Sequence, residues 1–227
     1  MKDEKFCIAL NNVGKTVETP GGPLELIRNI TLNVETSEAL VIKGISGSGK
    51  TTLLGLMAGL DQPSSGDIFL FGQNLNYCNE EQRASIRAGR VGFVFQSFQL
   101  VSGANALQNV LLPLELAGVD GAYDIAVQSL VDVGLENRQN TIVGQLSGGE
   151  QQRVAIARAF AVKPAILFAD EPTGNLDVET GKQIADLMFR LRDQAGTTLV
   201  LVTHEPELAK RGDRTIEIES GQILSGG

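Results

Sequence analysis

The sequence predicts an α/β fold: a core built on a parallel sheet, a smaller antiparallel sheet near the N-terminus, and a helical lobe inserted into the core. Three observations point to it. Four short apolar runs, at 39–43, 91–95, 165–169 and 198–203, are rich in β-branched or bulky residues and separated by helical stretches, as buried parallel strands are. The segment up to about residue 35, together with 66–72, alternates in the manner of strands with one exposed face. Helical patterning occupies 104–117 and 122–134, between the second and third runs.

In chain order, the N-terminal strands turn at Pro20-Gly-Gly-Pro23, and the run at 39–43 meets a glycine loop followed by an apolar helix over 52–60. The last segment, 214–224, alternates about Ser220-Gly221 and reads as a hairpin. No internal repeat or low-complexity stretch interrupts this order. Each core run is followed at once by a polar group: the loop from Gly44, Gln96, Asp170 and His204. Ligands of open α/β sheets lie beyond the carboxyl ends of the strands, so the four groups are expected on one edge.

At 227 residues the chain is expected to form one domain with a lobe inserted in it, and its 42% hydrophobic and 20% charged content is ordinary for a globular protein. A net charge of −8 argues against a sequence-independent grip on nucleic acid, which needs a basic stripe. Cys7 and Cys78 fit no metal or redox spacing, which agrees with a reducing cytosol. Residues 2–5 are charged and lead into only a short apolar run, so no secretory signal is expected. The uncharged stretch 91–114 is interrupted by Gln96, Ser97, Gln99, Ser102, Asn105, Gln108, Asn109 and Pro113, and is not a spanning helix. The chain by itself is expected to be soluble.

Gly44-Ile45-Ser46-Gly47-Ser48-Gly49-Lys50-Thr51 matches the phosphate-binding loop pattern G-x-x-x-x-G-K-[ST], with Thr52 opening the helix behind it. Its glycines let backbone N–H groups wrap a β-phosphate. Lys50 reaches the β- and γ-phosphates, and the Thr51 hydroxyl is a Mg²⁺ ligand. Asp170 and Glu171 end a buried run: the Asp suits a water-bridged Mg²⁺ and the Glu an attacking water, although two acids at a strand end serve equally as a solvated turn. His204, the single histidine, is placed to hydrogen-bond a γ-phosphate, and the Gln96 amide oxygen to complete a Mg²⁺ shell. A second anion-binding helix start follows at Ser147, Gly148, Gly149 and Glu150, in "LSGGEQQRVAIARA".

Taken together, the loop at 44–51, "FVFQSFQL" around Gln96, "LSGGEQQRVAIARA" at 146–159, "AILFADEPTGNLD" at 165–177 and "VTH" at 202–204 resemble the ABC-type ATPases in kind and order, over essentially the whole chain. Within that family they are most similar to the cytoplasmic ATPase subunits of the bacterial MacB/LolD/FtsE group, and to its YbbA type. The resemblance implies one ABC ATPase domain over residues 1–227, with a helical signature subdomain at about 98–157 inserted in a RecA-like core. It implies ATP and Mg²⁺ as cofactors, with Lys50, Glu171 and His204 acting in hydrolysis. Two copies would pair head to tail, Ser147, Gly148, Gly149 and Glu150 of one capping the γ-phosphate held by the other, and Asp177 lying at the dimer seam. A complete motif set in one chain favours a homodimer.

The same resemblance implies a separate multi-span permease of the MacB/FtsX type, docking near Phe98, Gln99 and Leu100, at the cytoplasmic face of the bacterial inner membrane, with no nucleic-acid partner. The alternative is a soluble ATPase of an assembly complex, as in iron–sulfur assembly. Two positions depart from the usual pattern. Val17 stands where an aromatic commonly stacks on adenine, making that contact apolar, and Glu150 replaces a common Gln.

Overall fold

The computed structural model describes residues 5–226; residues 1–4 and Gly227, the ends of the expected single domain, lie outside the described residues. The strands are β1 (Phe6–Thr19), β2 (Gly22–Glu35), β3 (Ala39–Lys43), β4 (Ser65–Leu70), β5 (Gln73–Asn74), β6 (Val91–Phe95), β7 (Ile166–Asp170), β8 (Thr198–Val202), β9 (Arg214–Glu219) and β10 (Gln222–Gly226). The helices are α1 (Lys50–Met57), α2 (Glu80–Arg87), α3 (Ala106–Leu116), α4 (Ala122–Asp132), α5 (Gly148–Ala161), α6 (Val178–Ala195) and α7 (Pro206–Ala209). They form two compact units: the described residues up to Arg87 with those from Thr198 onward, and Ala88–Thr197. The second unit reaches beyond the 98–157 lobe expected from sequence, because it also holds β6, β7 and α6.

In the first unit an antiparallel sheet has the order β2-β1-β4-β5. Its inner face carries Ile8, Leu10, Val13, Ile27, Ile30, Ile68 and Leu70, all essentially inaccessible, which is what the alternation in the sequence encodes. In the same unit β3 lies between β8 and β9, parallel to both, and β10 folds back on β9. The return runs through Ser220 (φ 48°) and Gly221 (φ 78°), successive left-handed residues that suit the twist of a two-residue hairpin. Helix α1 begins two residues before the expected 52–60 segment and stops three short of its end. The chain turns out at Gly59 with φ 65°.

In the second unit β6 and β7 form a parallel pair, with the Phe93 ring stacked 5.7 Å from those of Phe95 and Phe168. The strand β7 runs one residue later than the expected 165–169, so Asp170 closes the strand instead of following it. Helices α3, α4 and α5 pack on one another, and α5 runs close over β6. A Cβ at Gly92 would stand 2.8 Å from the Ala159 carbonyl oxygen, which accounts for a glycine inside an otherwise bulky strand. Three helices of this unit carry side-chain caps, from Asn105 to α3, Ser147 to α5 and Asp177 to α6.

Two measurements check this account. Gly66 adopts φ +77° and a Cβ there would run into the Asn11 and Asn12 carbonyls, so Gly66→Ala is expected to cost about 2 kcal/mol or more, read as a lower urea midpoint at unchanged slope. Backbone hydrogen bonding, from Ser147 N–H to Glu150 and from Thr180 N–H to Asp177, holds both carboxyls below the usual carboxylate range. A carboxyl lowered on folding stabilises above its unfolded pKa and loses that contribution as pH falls through its folded one. Tm should therefore fall on acidification through and below the ordinary carboxylate range. The fall is modest, because solvent screens both groups, and shallower in a Glu150→Gln/Asp177→Asn double variant.

Candidate active site

The first unit presents the glycine loop at the carboxyl edge of β3. Ile42 lies opposite Val202 in the parallel β3–β8 pair, so Gly44 and exposed His204 emerge from neighbouring strands at the same edge. The loop is held by close backbone approaches. A Cβ on Gly44 would run into the Ile218 carbonyl, and one on Gly49 would lie 2.7 Å from the Leu26 carbonyl oxygen. Gly221 N–H donates to the Ser48 carbonyl at 3.0 Å, tying the hairpin turn to the loop. Ile45, Ser46 and Gly47 are exposed, whereas Ser48 is 3% exposed and its Oγ has no hydrogen-bond partner.

Lys50 folds back over the loop, its Nζ donating to the Gly44 and Ile45 carbonyls at 2.8 and 2.9 Å. Gly49 caps α1 with φ 102° and no side-chain hydrogen bond, and no acidic residue occupies the first turn. The orphan N–H groups and the positive end of the helix dipole thus suit an anion. Thr51 and Thr52 occupy that turn, Thr51 exposed. Val17 is half-buried on β1 opposite Leu24, itself 50% exposed. This β1–β2 ribbon also supplies Leu26 beside Gly49.

In the second unit Phe95 lies opposite Asp170, so Gln96 and Glu171 are the first residues beyond two adjacent parallel strands. Gln96 and Asn175 clasp each other: Gln96 Nε2 donates to Asn175 Oδ1 at 3.0 Å, and Asn175 Nδ2 donates to the Gln96 carbonyl at 3.0 Å. With the amide nitrogen so committed, the Gln96 side-chain oxygen is the atom left for a cation. Glu171 has φ 47°, a left-handed conformation that costs a non-glycine residue about 1 kcal/mol or more. It is braced on its C-terminal side by two contacts. Gly174 N–H donates to the Glu171 carbonyl at 3.0 Å, and fully buried Gln152 donates to the Pro172 carbonyl at 2.6 Å.

The Thr51 hydroxyl, the Gln96 amide and the Asp170 carboxylate all offer oxygen, the donor that a hard cation such as Mg²⁺ takes. Among the described residues no group of three or more His, Cys, Asp or Glu stands together. Each donor, taken by itself, is of the kind that Mg²⁺ takes beside waters and phosphate oxygens.

The expected second anion site lies at the start of α5. Ser147 is its exposed N-cap, accepting from Glu150 N–H at 3.3 Å while Glu150 Oε2 accepts from Ser147 N–H at 2.9 Å. Gly149 owes its bare Cα to packing, since a Cβ would lie 2.6 Å from Thr180 Cγ2; at Gly148 the nearest atom would be 3.4 Å away. Asp177 is exposed and caps α6 through Thr180 N–H at 3.0 Å. Phe98 and Gln99 are successive left-handed residues whose carbonyls accept from Arg158 of α5 at 3.1 and 2.6 Å. Phe98 and Leu100 are half-buried and Gln99 exposed.

Asn175, Gln152, Arg158 and Arg138, which binds Glu150, were not singled out by sequence reasoning. The first three lie inside the quoted motifs, where a polar residue among functional neighbours is the available signal. Arg138 lies in none.

A family model described as ABC transporter matches residues 27–174. The chain is 48% identical over 218 residues to the ABC transporter ATP-binding protein YbbA of Escherichia coli strain K12, covering 95% of this chain and 96% of that one. It is 41% identical to the lipoprotein-releasing system ATP-binding protein LolD of Syntrophus aciditrophicus, covering 96% and 99%. It is also 42% identical to the macrolide export ATP-binding/permease protein MacB of Rhodopirellula baltica, over 95% of this chain and 32% of that one. Among solved structures, a dimeric ATP-binding cassette in a post-hydrolysis state bound to ADP and Pi matches with a TM-score of 0.90 at 37% identity, covering 97% of both chains. The matched segment, relatives that align nearly end to end and the motif geometry agree on one assignment: this chain belongs to the ABC transporter ATP-binding family.

Proposed function

We propose that this chain is the ATP-binding and ATP-hydrolysing subunit of a bacterial ABC transporter-type complex, pairing head to tail with a second copy and driving a separate multi-span permease. The observation that carries the reading is the Lys50 loop on an α1 start without a side-chain cap: a glycine-walled cradle with backbone N–H groups, a helix dipole and an ammonium folded over the loop, all suited to polyphosphate. Residues 1–227 then work as one ATPase domain, with 98–157 as its signature subdomain.

On this reading the phosphates take the place of the Gly44 and Ile45 carbonyls as partners of Lys50 Nζ, with Gly44, Ile45, Ser46, Gly47, Ser48, Gly49, Thr51 and Thr52 forming the cradle. Bound Mg²⁺, held by Thr51, Gln96 and, through water, Asp170, would neutralise phosphate charge. Glu171 accepts the proton of the attacking water and His204 hydrogen-bonds the γ-phosphate. Val17, with Leu24 beside it, gives adenine an apolar contact. Ser147, Gly148, Gly149 and Glu150 of one copy cap the γ-phosphate bound by the other, with Asp177 at the seam. The likeness to a dimeric cassette bound to ADP and Pi supports that pairing.

Among the described residues no helix is long and apolar enough to cross a membrane. LolD is named the ATP-binding protein of a lipoprotein-releasing system, and MacB an ATP-binding/permease protein of which this chain matches 32%. Both names support a partner permease of the MacB/FtsX type, docked near Phe98, Gln99 and Leu100 at the cytoplasmic face of the inner membrane.

Glu171→Gln is expected to lower steady-state turnover by about 10²- to 10⁴-fold while ATP binding persists. Turnover equal to the parent's would remove Glu171 as the base. Lys50→Ala should instead weaken ATP binding itself, measured by equilibrium titration. Tagged Glu171→Gln protein, purified with ATP from detergent-solubilised membranes of its host, should retain a stoichiometric multi-span partner. Recovery of soluble partners alone, with the protein absent from membranes, would replace the permease reading with the assembly-ATPase one.

A further inference from the structure

The two helix starts assigned to phosphate differ in charge. The first turn of α1 carries no acidic residue, whereas the first turn of α5 carries Glu150. A helix N-terminus presents the equivalent of roughly half a positive charge, so one carboxylate in the first turn more than cancels it. Glu150 cannot swing clear while its Oε2 accepts from Ser147 N–H at 2.9 Å. Its side chain is 28% exposed, so water screens it only in part. An unbalanced Glu150 would repel the anion that the Ser147 turn is proposed to cap.

The structure supplies a counter-charge. Arg138, in the segment between α4 and α5, donates from Nε to Glu150 Oε1 at 3.0 Å, so the two carboxylate oxygens are divided between the helix cap and the guanidinium. Arg138 is anchored locally, its N–H donating to the Leu135 carbonyl at 3.0 Å and its carbonyl accepting from Thr141 N–H at 2.9 Å. The guanidinium is 55% exposed, and a surface pair of this kind adds little to folding. A γ-phosphate arriving at Ser147 would still meet its field, at a range shorter than a Debye length.

We propose that Arg138 is a positioning residue of the signature. It holds Glu150 in the capping box and cancels its charge, so that an acidic signature still accepts the γ-phosphate bound by a second copy of the chain. The inference rests on the head-to-tail pairing proposed above. It makes Arg138 necessary only because residue 150 is acidic, and that condition is what the test exploits.

The experiment uses the full chain in a Glu171→Gln background and follows ATP-dependent dimerisation by sedimentation velocity. Thermal melts are recorded for each variant. Arg138→Gln is expected to raise the ATP concentration for half-dimerisation by about tenfold, the size of effect that one charge at a helix start can produce. Adding Glu150→Gln should return that value to within about twofold of the parent, and Arg138→Lys, which keeps the charge, should lose little. A merely structural Arg138 would not be rescued by removing its partner. Dimerisation of Arg138→Gln at the parent's ATP concentration, or a double variant as weak as Arg138→Gln alone, overturns the proposal. Absence of an ATP-dependent dimer in the parent background overturns the pairing itself and this inference with it.

Discussion

The phosphate loop depends on backbone approaching backbone at distances that no side chain allows. Gly44 passes the Ile218 carbonyl, Gly49 lies against the Leu26 carbonyl, and Gly221 lies against the same Leu26 carbonyl, where a Cβ would be 2.6 Å away. Three glycines from distant parts of the chain thus let β2, the loop and the β9–β10 turn share one small volume. The hydrogen bonds from Gly221 to Ser48 and from Arg28 N–H to the Gly221 carbonyl, at 3.0 and 2.8 Å, close that contact. A loop braced this way needs little reordering when phosphate arrives, and that preorganisation favours binding.

The second unit uses side chains for the same purpose. Gln96 is set by Asn175, the turn after Glu171 by Gln152 at the Pro172 carbonyl, and the turn after Gln96 by Arg158, each through bonds of 3.1 Å or less. Two of these braces come from α5, whose first residues form the Ser147 turn. Left-handed conformations at Phe98, Gln99 and Glu171 persist because such contacts over-determine them. A shift of α5 would therefore be felt both after Gln96 and after Glu171. On the proposed function, that is a physical route from the Ser147 turn to Glu171.

Charge at the helix starts follows from the same economy. The α1 start is left uncapped by any side chain, while α3, α5 and α6 satisfy their first N–H groups with Asn105, Ser147 and Asp177. Lys50 folds back over the α1 start. Ser147 and Asp177 serve the fold as caps, and the pairing proposed above would draw on the same residues.

By itself, the sequence determined the parallel runs, the antiparallel N-terminal strands, the terminal hairpin and the order of the motifs, because periodicity and glycine placement are local properties. It also marked Lys50 through the glycine-loop pattern, and Asp170, Glu171 and His204 through their place at the ends of apolar runs whose burial is legible from composition. Tertiary structure alone decided that β7 ends on Asp170 and that Gly149 is bare because Thr180 lies against it. It alone paired Arg138 with Glu150 and Gln96 with Asn175, partners 12 and 79 residues apart. Such contacts are set by how helices and turns pack, and no pattern along the chain records which residues packing will bring within hydrogen-bond range.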